Sequence, residues 1–279
     1  MKDLTSDTLT ATVTDSFSAC PDPRTKEIIT ALVRHLHDFA REVRLTHEEW
    51  RHGIEFLTAT GRKCDGIRQE FILLSDTLGL SIVLDAINQR HEEASTESSL
   101  LGPFYRDGVR EAEFGADIAQ TEGEPALFHG RVVDANGTPV ASALIEVWQT
   151  AANGMYEGQD PDQPEGNLRG RFRSNAAGEY AFRSLKPTSY PIPTDGPVGR
   201  MLIATGRHPM RPAHVHFKIE AHGYETLTTA LFSSDDPYVD SDAVFGVKSS
   251  LVVDYVPKEG RERFFDVERD FVLIEKERT

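Results

Sequence analysis

Two histidines separated by one residue, His214 and His216, stand in Arg211-Pro212-Ala213-His214-Val215-His216-Phe217, the sharpest local feature of the sequence. The run Ala213–Glu220 has strand character, and on a strand residues i and i+2 face the same side, so both imidazoles line one face. Imidazole binds iron, zinc, copper and nickel, so the pair defines one edge of a metal site without choosing the metal. An ordinary strand with two surface histidines meets the same spacing. Any further donors must come from elsewhere. Two long loops, Thr150–Leu168 and Lys186–Gly199, carry Tyr156 and Tyr190 among glycines and prolines, and loops of that length inside a compact domain usually carry function. Composition alone leaves both rings open between loop packing and ligation. Asp160, Asp162 and Glu165, the hard donors of the first loop, sit in a polar run that reads as solvated.

These residues need a frame, and the periodicity supplies two. From Thr25 to Glu93 apolar residues recur at helical spacing, with Ile28, Ile29, Leu32, Val33, Leu36, Phe39, Ala40 and Val43 on one stripe. Thr46 followed by Glu49 has the form of a capping box, which starts a second helix that stops near Gly61. A third helix is expected from Asp65 to Leu78, closing at Gly79, and a fourth from Ser81 to Glu92. The succession Ile82-Val83-Leu84 exceeds one buried stripe and predicts a helix packed on two sides, the second against another subunit. After Ser95 the pattern changes to short strands with Gly- and Pro-rich connections. Leu127–Val133 and Val140–Trp148 flank Asp134-Ala135-Asn136-Gly137 as a hairpin. Glu179–Arg183, Met201–Ala204, Ala213–Glu220, Thr226–Phe232, Leu251–Tyr255 and Phe271–Ile274 follow as strands. The expected fold is mainly β: a β-sandwich domain over residues 101–279, which carries the candidate site, behind an N-terminal α-helical domain over residues 1–100.

The chain has 279 residues, 39% of them hydrophobic and 27% charged, which is enough for a core without staples. A formal charge of −15 argues against a nucleic-acid partner and against docking on an anionic membrane surface. Only Cys20 and Cys64 are present, too few and too far apart for a disulfide framework, which suits a reducing compartment. Met1–Ala19 has no apolar run of the signal-peptide kind, and no stretch reaches the roughly 20 apolar residues of a membrane span. The expectation is a soluble, cytoplasmic protein.

Taken in order, Gly102-Pro103-Phe104-Tyr105, Leu168-Arg169-Gly170-Arg171, Gly178-Glu179-Tyr180, the Arg-Pro-Ala-His-Val-His-Phe motif and Ser241-Asp242-Ala243-Val244-Phe245 resemble the intradiol ring-cleavage dioxygenases, in their catechol and hydroxyquinol 1,2-dioxygenase group. The resemblance covers most of the chain. It implies that Tyr156, Tyr190, His214 and His216 are the protein ligands of one ferric ion, Fe(3+). Tyr190 is then the axial tyrosinate that the chelating substrate displaces and that takes a substrate proton, and Arg211 stabilises negative charge building on the ring. It further implies a small aromatic diol or triol and O2 as substrates, with cleavage between the two hydroxylated carbons to a maleylacetate- or muconate-type product. Elementary chemistry agrees with such a ligand set. A free tyrosine ionises near pH ~10, but a bound cation inverts that preference, and phenolate is a hard donor for a hard trivalent ion. Zinc more naturally recruits Cys, His or carboxylate.

The same resemblance lines a substrate pocket with Leu73, Asp76, Pro103, Phe104, Pro191, Ile192, Ala230, Ala243 and Val244. Leu100–Tyr105 and Tyr190–Pro197 look like the hydroxyquinol branch. Asp76, three residues after Leu73 on the same helix face, either accepts a hydrogen bond from a third ring hydroxyl or simply ends its helix. One departure stands in Thr228-Thr229-Ala230-Leu231: catechol-cleaving relatives often carry a glutamine where this chain has Ala230. By resemblance the helical domain joins two chains in a homodimer, with a lipid in that interface in related enzymes. Other readings remain in view. One is a catechol or chlorocatechol 1,2-dioxygenase, another a zinc hydrolase using the same two histidines. A third is a non-enzymatic β-sandwich binding module, because Gly130–Val147 shares the texture of transthyretin-like sandwiches.

Overall fold

A computed structural model describes residues 4–65, 68–88, 94–109, 111–260 and 263–276. The chain forms two compact units, Met1–Ala59 and Thr60–Thr279. Its helices are α1 (Ser6–Asp15), α2 (Pro23–Glu42), α3 (His47–Lys63), α4 (Glu70–Thr77), α5 (Leu80–Asn88) and α6 (Pro197–Ala204). The strands are β1 (Pro125–Asp134), β2 (Leu144–Trp148), β3 (Arg169–Arg173), β4 (Glu179–Leu185), β5 (Tyr190–Pro191), β6 (Met210–Arg211), β7 (His214–Glu220), β8 (Leu227–Ser233), β9 (Val252–Val253), β10 (Val256–Lys258), β11 (Phe264–Glu268) and β12 (Phe271–Leu273). The helices-then-strands order expected from the periodicity is the order observed.

In the first unit the capping box is present: Glu49 Oε2 accepts from the Thr46 N–H at 2.8 Å, and Thr46 Oγ1 accepts from the Glu49 N–H at 3.2 Å. Helix α2 begins on an Asp22 cap with Pro23 in its first turn, as orphan helix N–H groups require. Its apolar stripe of Ile28, Leu32, Leu36, Phe39 and Val43 is exposed, as are Trp50, Ile54 and Leu57 of α3. Helix α1 had no counterpart in the sequence reading, because its apolar residues are too few to make a stripe among threonines and serines.

In the second unit a sheet β10-β11-β1-β12, with β4 also paired to β1, faces a sheet β3-β2-β7-β8-β9. Phe128 and Val132 of β1 and Phe182 of β4 meet Ile145, Val147, Phe172, Val215, Phe217 and Leu231 of the other sheet in one buried core. Strand β1 pairs in parallel first with β11 over Ala126–His129 and then with β12 over Val132–Asp134. Gly130 sits at the changeover because a Cβ there would lie 1.9 Å from the Arg269 carbonyl oxygen.

Several elements differ from the expectation, each for a local reason. The turn at Asp134–Gly137 forms, with Asp134 Oδ1 accepting from the Asn136 and Thr138 N–H groups. It closes only a Val133–Pro139 bridge, after which the chain crosses to the other sheet and β2 pairs with β3 and β7. The expected hairpin is therefore a sheet-to-sheet crossover. Met201–Ala204 is the end of α6, not a strand. Pro197 starts that helix, and Val198 and Leu202, four residues apart, are buried beneath it. A short apolar run does not by itself distinguish strand from helix. Leu251–Tyr255 holds the end of a 3-10 turn, Ser249–Leu251, and the two-residue β9. The third helix starts at Glu70, not Asp65; the fourth is described over Leu80–Asn88, and its expected continuation to Glu92 lies outside the described residues. Strands β3, β5, β6, β10 and β11 were not among those expected: β3 has one large apolar residue among arginines, β5, β6 and β10 are only two or three residues long, and the alternation Phe265-Asp266-Val267-Glu268 in β11 is short.

Helices α4 and α5 precede residue 100 yet belong to the unit with the sheets. Glu70, fully buried in the first turn of α4, accepts from the Val198 N–H at 3.3 Å and pairs with Arg68 at 2.7 Å. Arg68 in turn reaches Asp195 at 2.8 Å. These contacts pin α4 beside the Tyr190–Gly199 loop.

Candidate metal centre

Alternation on β7 sets the site. Val215, Phe217 and Ile219 point into the sandwich core, so His214 and His216 occupy the opposite face of the same sheet. Across that face the register places Trp148 of β2 opposite His216 and Arg169 of β3 opposite Trp148. On the other side Ala230 of β8 lies opposite His216, and Phe232 opposite His214. Trp148 stacks on His216 with centroids 4.9 Å apart and planes 5° apart. Both imidazoles are nonetheless buried, because loops cover this outer face.

Each loop delivers one phenol. Gly154, at φ +78°, turns the first loop so closely onto the second that a Cβ would sit 3.1 Å from Tyr190 Cβ. Gln159 Oε1 accepts from the Tyr156 N–H at 3.0 Å, and Phe104 stacks on the Tyr156 ring at 4.5 Å. Asp160, by contrast, accepts from Asn153 and Gln163 side chains within its own loop. Tyr190 is placed by the two-residue ladder β5–β6, in which its partner is Arg211.

The four rings face one another. The Tyr156 and Tyr190 hydroxyls are 3.3 Å apart, and the His214 and His216 Nε2 atoms 3.1 Å apart. The Tyr190 and His214 ring centroids are 5.5 Å apart. His214 Nδ1 donates to the Pro212 carbonyl at 2.7 Å, which leaves the Nε2 lone pair turned into the cluster. The Leu100 backbone favours protonation of His216, although its Nδ1 makes no hydrogen bond of acceptable geometry. Burial, then the neighbouring Tyr190, pushes the Tyr156 phenol well above its ordinary pKa, with Arg211 and Arg169 opposing. No three His, Cys, Asp or Glu side chains gather as a metal site among the described residues. The set around the two imidazoles is completed by phenols.

Arg211 is buried and points Nη1 at His214 Nε2, 3.2 Å away. Burial disfavours its charge, but the Asp242 carboxylate and the Tyr190 and Tyr156 oxygens outweigh that and raise its pKa. A second buried guanidinium, Arg169, pairs with Glu157 at 3.0 Å and acts electrostatically on Tyr156. Of the pocket residues expected from the resemblance, Leu73, Ile192 and Val244 join Leu100 and Leu202 in one apolar cluster. Phe104 belongs with Trp148, Tyr156 and Tyr190. Asp76 is buried within electrostatic reach of Arg211 and Asp242. Ala243 is buried, and its N–H donates to the Met210 carbonyl at 3.1 Å. Ala230 packs with Phe232 and Leu251, while Pro103 and Pro191 are exposed. Trp148, Arg169 and Asp242 were not singled out by sequence reasoning. Their only signal was that Arg169 and Asp242 lie in segments quoted for the family resemblance.

Comparison with known proteins agrees with this architecture. Residues 100–275 match the family model described as "Dioxygenase", and residues 22–96 match "Catechol dioxygenase N terminus". A 6-chlorohydroxyquinol 1,2-dioxygenase of Cupriavidus pinatubonensis is 51% identical, covering 95% of this chain and 96% of its own. A hydroxyquinol 1,2-dioxygenase of a Rhizobium species is 47% identical, covering 91% and 90%. The solved structure of a hydroxyquinol 1,2-dioxygenase from Pseudomonas putida superposes with a TM-score of 0.93 at 53% identity, covering 97% of this chain and 99% of that one. The chain belongs to the intradiol catechol dioxygenase family. It is an enzyme of the hydroxyquinol 1,2-dioxygenase type, and the binding-module and hydrolase readings fall away. The family typically uses non-haem ferric iron, and an aromatic diol or triol is its implied substrate. Among the described residues no helix is long and apolar enough to cross a membrane.

Burial, followed by the Arg211 charge, holds His214 well below the ordinary imidazole pKa. Burial, then His214, Arg211 and Arg169, do the same to His216. In the unfolded chain each takes up a proton near pH ~6.5. Below that pH the unfolded state binds more protons than the folded one, so stability falls as pH drops through about 6.5. For metal-free protein the pair should remove roughly 3 kcal/mol between about pH 7.5 and about pH 5.5, read by urea denaturation. A His214→Gln, His216→Gln double variant should lose much less over the same interval. An identical pH dependence in that variant would show that the two imidazoles are not buried as neutral groups.

Proposed function

We propose that Tyr156, Tyr190, His214 and His216 hold a single ferric ion, and that the enzyme cleaves hydroxyquinol (benzene-1,2,4-triol) or a ring-substituted form of it between its adjacent hydroxylated carbons. The observation that carries this is the convergence of two phenol oxygens and two imidazole nitrogens, from two loops and one strand, in a buried cluster. Two phenolates and two neutral imidazoles suit a hard trivalent cation, offsetting two of its three charges in a dry site. When bound, the ferric ion supplies Lewis acidity to a chelated diol and makes the ring reactive toward O2.

The chain's own residues do the rest. Arg211 holds a permanent positive charge against the cluster, where negative charge accumulating on a ring carbon is stabilised without reorganisation. Tyr190 rests on a two-residue ladder, whereas Tyr156 is clamped between Phe104 and its own pinned loop. The less anchored phenol is the one suited to leave its place and take a proton from a substrate hydroxyl. Leu73, Ile192 and Val244 build an apolar wall that excludes water.

The triol preference rests on the named relatives and on Asp76. Its carboxyl is buried on α4, three residues from Leu73, and burial pushes its pKa up against a Ser81 hydrogen bond and the Arg211 charge. A buried acid on that wall pairs with a third ring hydroxyl, and catechol has none to offer. A site built to bond a substrate hydroxyl discriminates strongly against the analogue lacking it.

Purified enzyme should carry a broad visible band from tyrosinate-to-iron charge transfer. In Tyr156→Phe and His214→Ala, band, iron content by mass spectrometry and activity should be lost together, with folded circular dichroism retained. An iron-replete, active variant of either would exclude that ligand. Asp76→Ala should lower kcat/KM for hydroxyquinol by at least about a hundredfold, and that for catechol far less. Equal losses on the two substrates would remove Asp76 from the specificity argument; 6-chlorohydroxyquinol belongs in the same assay.

We infer also that the exposed stripe of α2 and the neighbouring apolar residues of α3 meet a second copy of the chain. Light scattering coupled to size exclusion should give a dimer, and Leu32→Asp with Phe39→Asp should give a folded monomer. A wild-type monomer at micromolar concentration would refute this.

A further inference from the structure

The Arg211 guanidinium is carried on a flexible stem, yet its charge must be aimed to act on a reacting ring. The structure shows what aims it. Arg211 Nε donates to Asp242 Oδ1 at 3.2 Å and Nη2 donates to Oδ2 at 3.3 Å, a fork-to-fork pair in which both side chains are at most 5% exposed. The gripped edge faces away from the ring cluster, and the free edge presents Nη1 toward His214. Backbone donors complete the carboxylate: Val244 N–H reaches Oδ1 at 3.2 Å and Gly246 N–H reaches Oδ2 at 2.9 Å. Four donors on two oxygens leave it no other orientation. Space is shaped to the pair as well. A Cβ on Gly246 would sit 3.1 Å from both Arg211 Nη2 and Asp242 Oδ2, and Ser99 Oγ anchors the Gly246 carbonyl at 2.8 Å.

We propose that Asp242 is a positioning residue: by holding the Nε/Nη2 edge of Arg211 it aims Nη1 at the reacting ring, and with the same two oxygens it fixes the Ala243–Gly246 segment that carries Val244 into the pocket wall. The proposal rests on the reading of Arg211 as the cation that stabilises ring charge. It has a second consequence. Asp76 lies within electrostatic reach of both members of the pair. Neutralising Asp242 changes the field at Asp76 and loosens the segment that carries Val244, so the loss reaches the specificity wall too.

The test is a double-mutant cycle on iron-loaded enzyme with hydroxyquinol, using Asp242→Asn, Arg211→Met and the two combined. Asp242→Asn keeps an oxygen for the backbone N–H groups but removes the charge and one acceptor. Its kcat should fall about a hundredfold, the scale of a misaimed group, with KM, iron content and the visible band close to wild type. Added to Arg211→Met, the same change should cost less than about threefold more. Hydrogen exchange at the Val244 and Gly246 amides should speed up in Asp242→Asn, and the hydroxyquinol-over-catechol preference should narrow. Should Asp242→Asn fail to fold, Asp242→Glu goes through the same cycle, with the retained charge restoring part of kcat. An unchanged kcat in Asp242→Asn, an equal loss with and without Arg211, or loss of iron alongside kcat overturns the positioning role. A silent Arg211→Met overturns the reading beneath it; a damaged Arg211→Met beside a silent Asp242→Asn leaves that reading standing and removes only Asp242.

Discussion

Two phenol oxygens and two imidazole nitrogens taken out of water side by side are an unfavourable arrangement, and the rest of the second unit is organised around making it tolerable. An isolated polar group buried without a partner costs on the order of 1–3 kcal/mol in proteins. Here the phenols pair with each other, the two Nε2 atoms meet at 3.1 Å, and His214 Nδ1 is satisfied by the Pro212 carbonyl. These contacts are weak compensation for full burial. They keep the two hydroxyls and the two Nε2 atoms close together in a buried cluster, where the proposed cation would offset the cost of burying them. The sandwich core contributes nothing polar to this volume; its part is to hold β7 rigid, so that the two imidazoles cannot separate.

Fixed charges around the cluster come in pairs. Arg211 is neutralised by Asp242, and Arg169 by Glu157, which also takes Arg106 at 3.0 Å on its outer side. Breaking such a buried pair leaves an uncompensated charge, whereas the intact pair adds little net stability. Their value is directional. Arg211 is gripped along its Nε/Nη2 edge, which leaves Nη1 toward His214 and its field on the site. Both arginines favour ionisation of Tyr156 and disfavour protonation of His216. Those are the protonation states that metal ligation by these groups requires.

The architecture was legible in the sequence wherever apolar residues recur once per turn or at alternate positions, whether the face they form is buried, as on β7 and β8, or exposed, as on α2 and α3. It was legible also at the Thr46–Glu49 cap, whose chemistry is local. It was not legible where tertiary contacts decide. The Asp134–Gly137 turn looks the same whether the chain returns to its own sheet or crosses to the other, and only the partners of β2 distinguish the two. Met201–Ala204 is helical because Pro197 starts it and Glu70, 128 residues away, accepts from its first turn. For the site, His214 and His216 announced themselves by spacing. Tyr156 and Tyr190 did not, because their convergence depends on a loop turning at Gly154 and on a ladder of two residues. Trp148 and Asp242 carry no sequence signal of their own, since stacking on an imidazole and gripping a guanidinium are both made by folding.

A consequence concerns how substrate choice and reactivity are joined. The α4 wall carries Leu73 into the apolar cluster and Asp76 into the field of the Arg211–Asp242 pair. Helix α4 is itself fastened through Glu70 to the N-terminus of α6, directly after the loop that presents Tyr190. Arg207 reinforces the connection, donating to the Thr77 carbonyl at the end of α4 and to the Ala243 carbonyl at 2.8 Å. The group proposed to read the third hydroxyl, the group proposed to stabilise ring charge and the segment bearing the displaceable tyrosine are thus bound into one rigid frame. A substitution that widens the pocket at α4 therefore also perturbs the electrostatics of the reacting ring. Specificity in this enzyme is expected to change through compensated sets of residues on α4, the Tyr190 loop and Ala243–Gly246, and not through single pocket replacements.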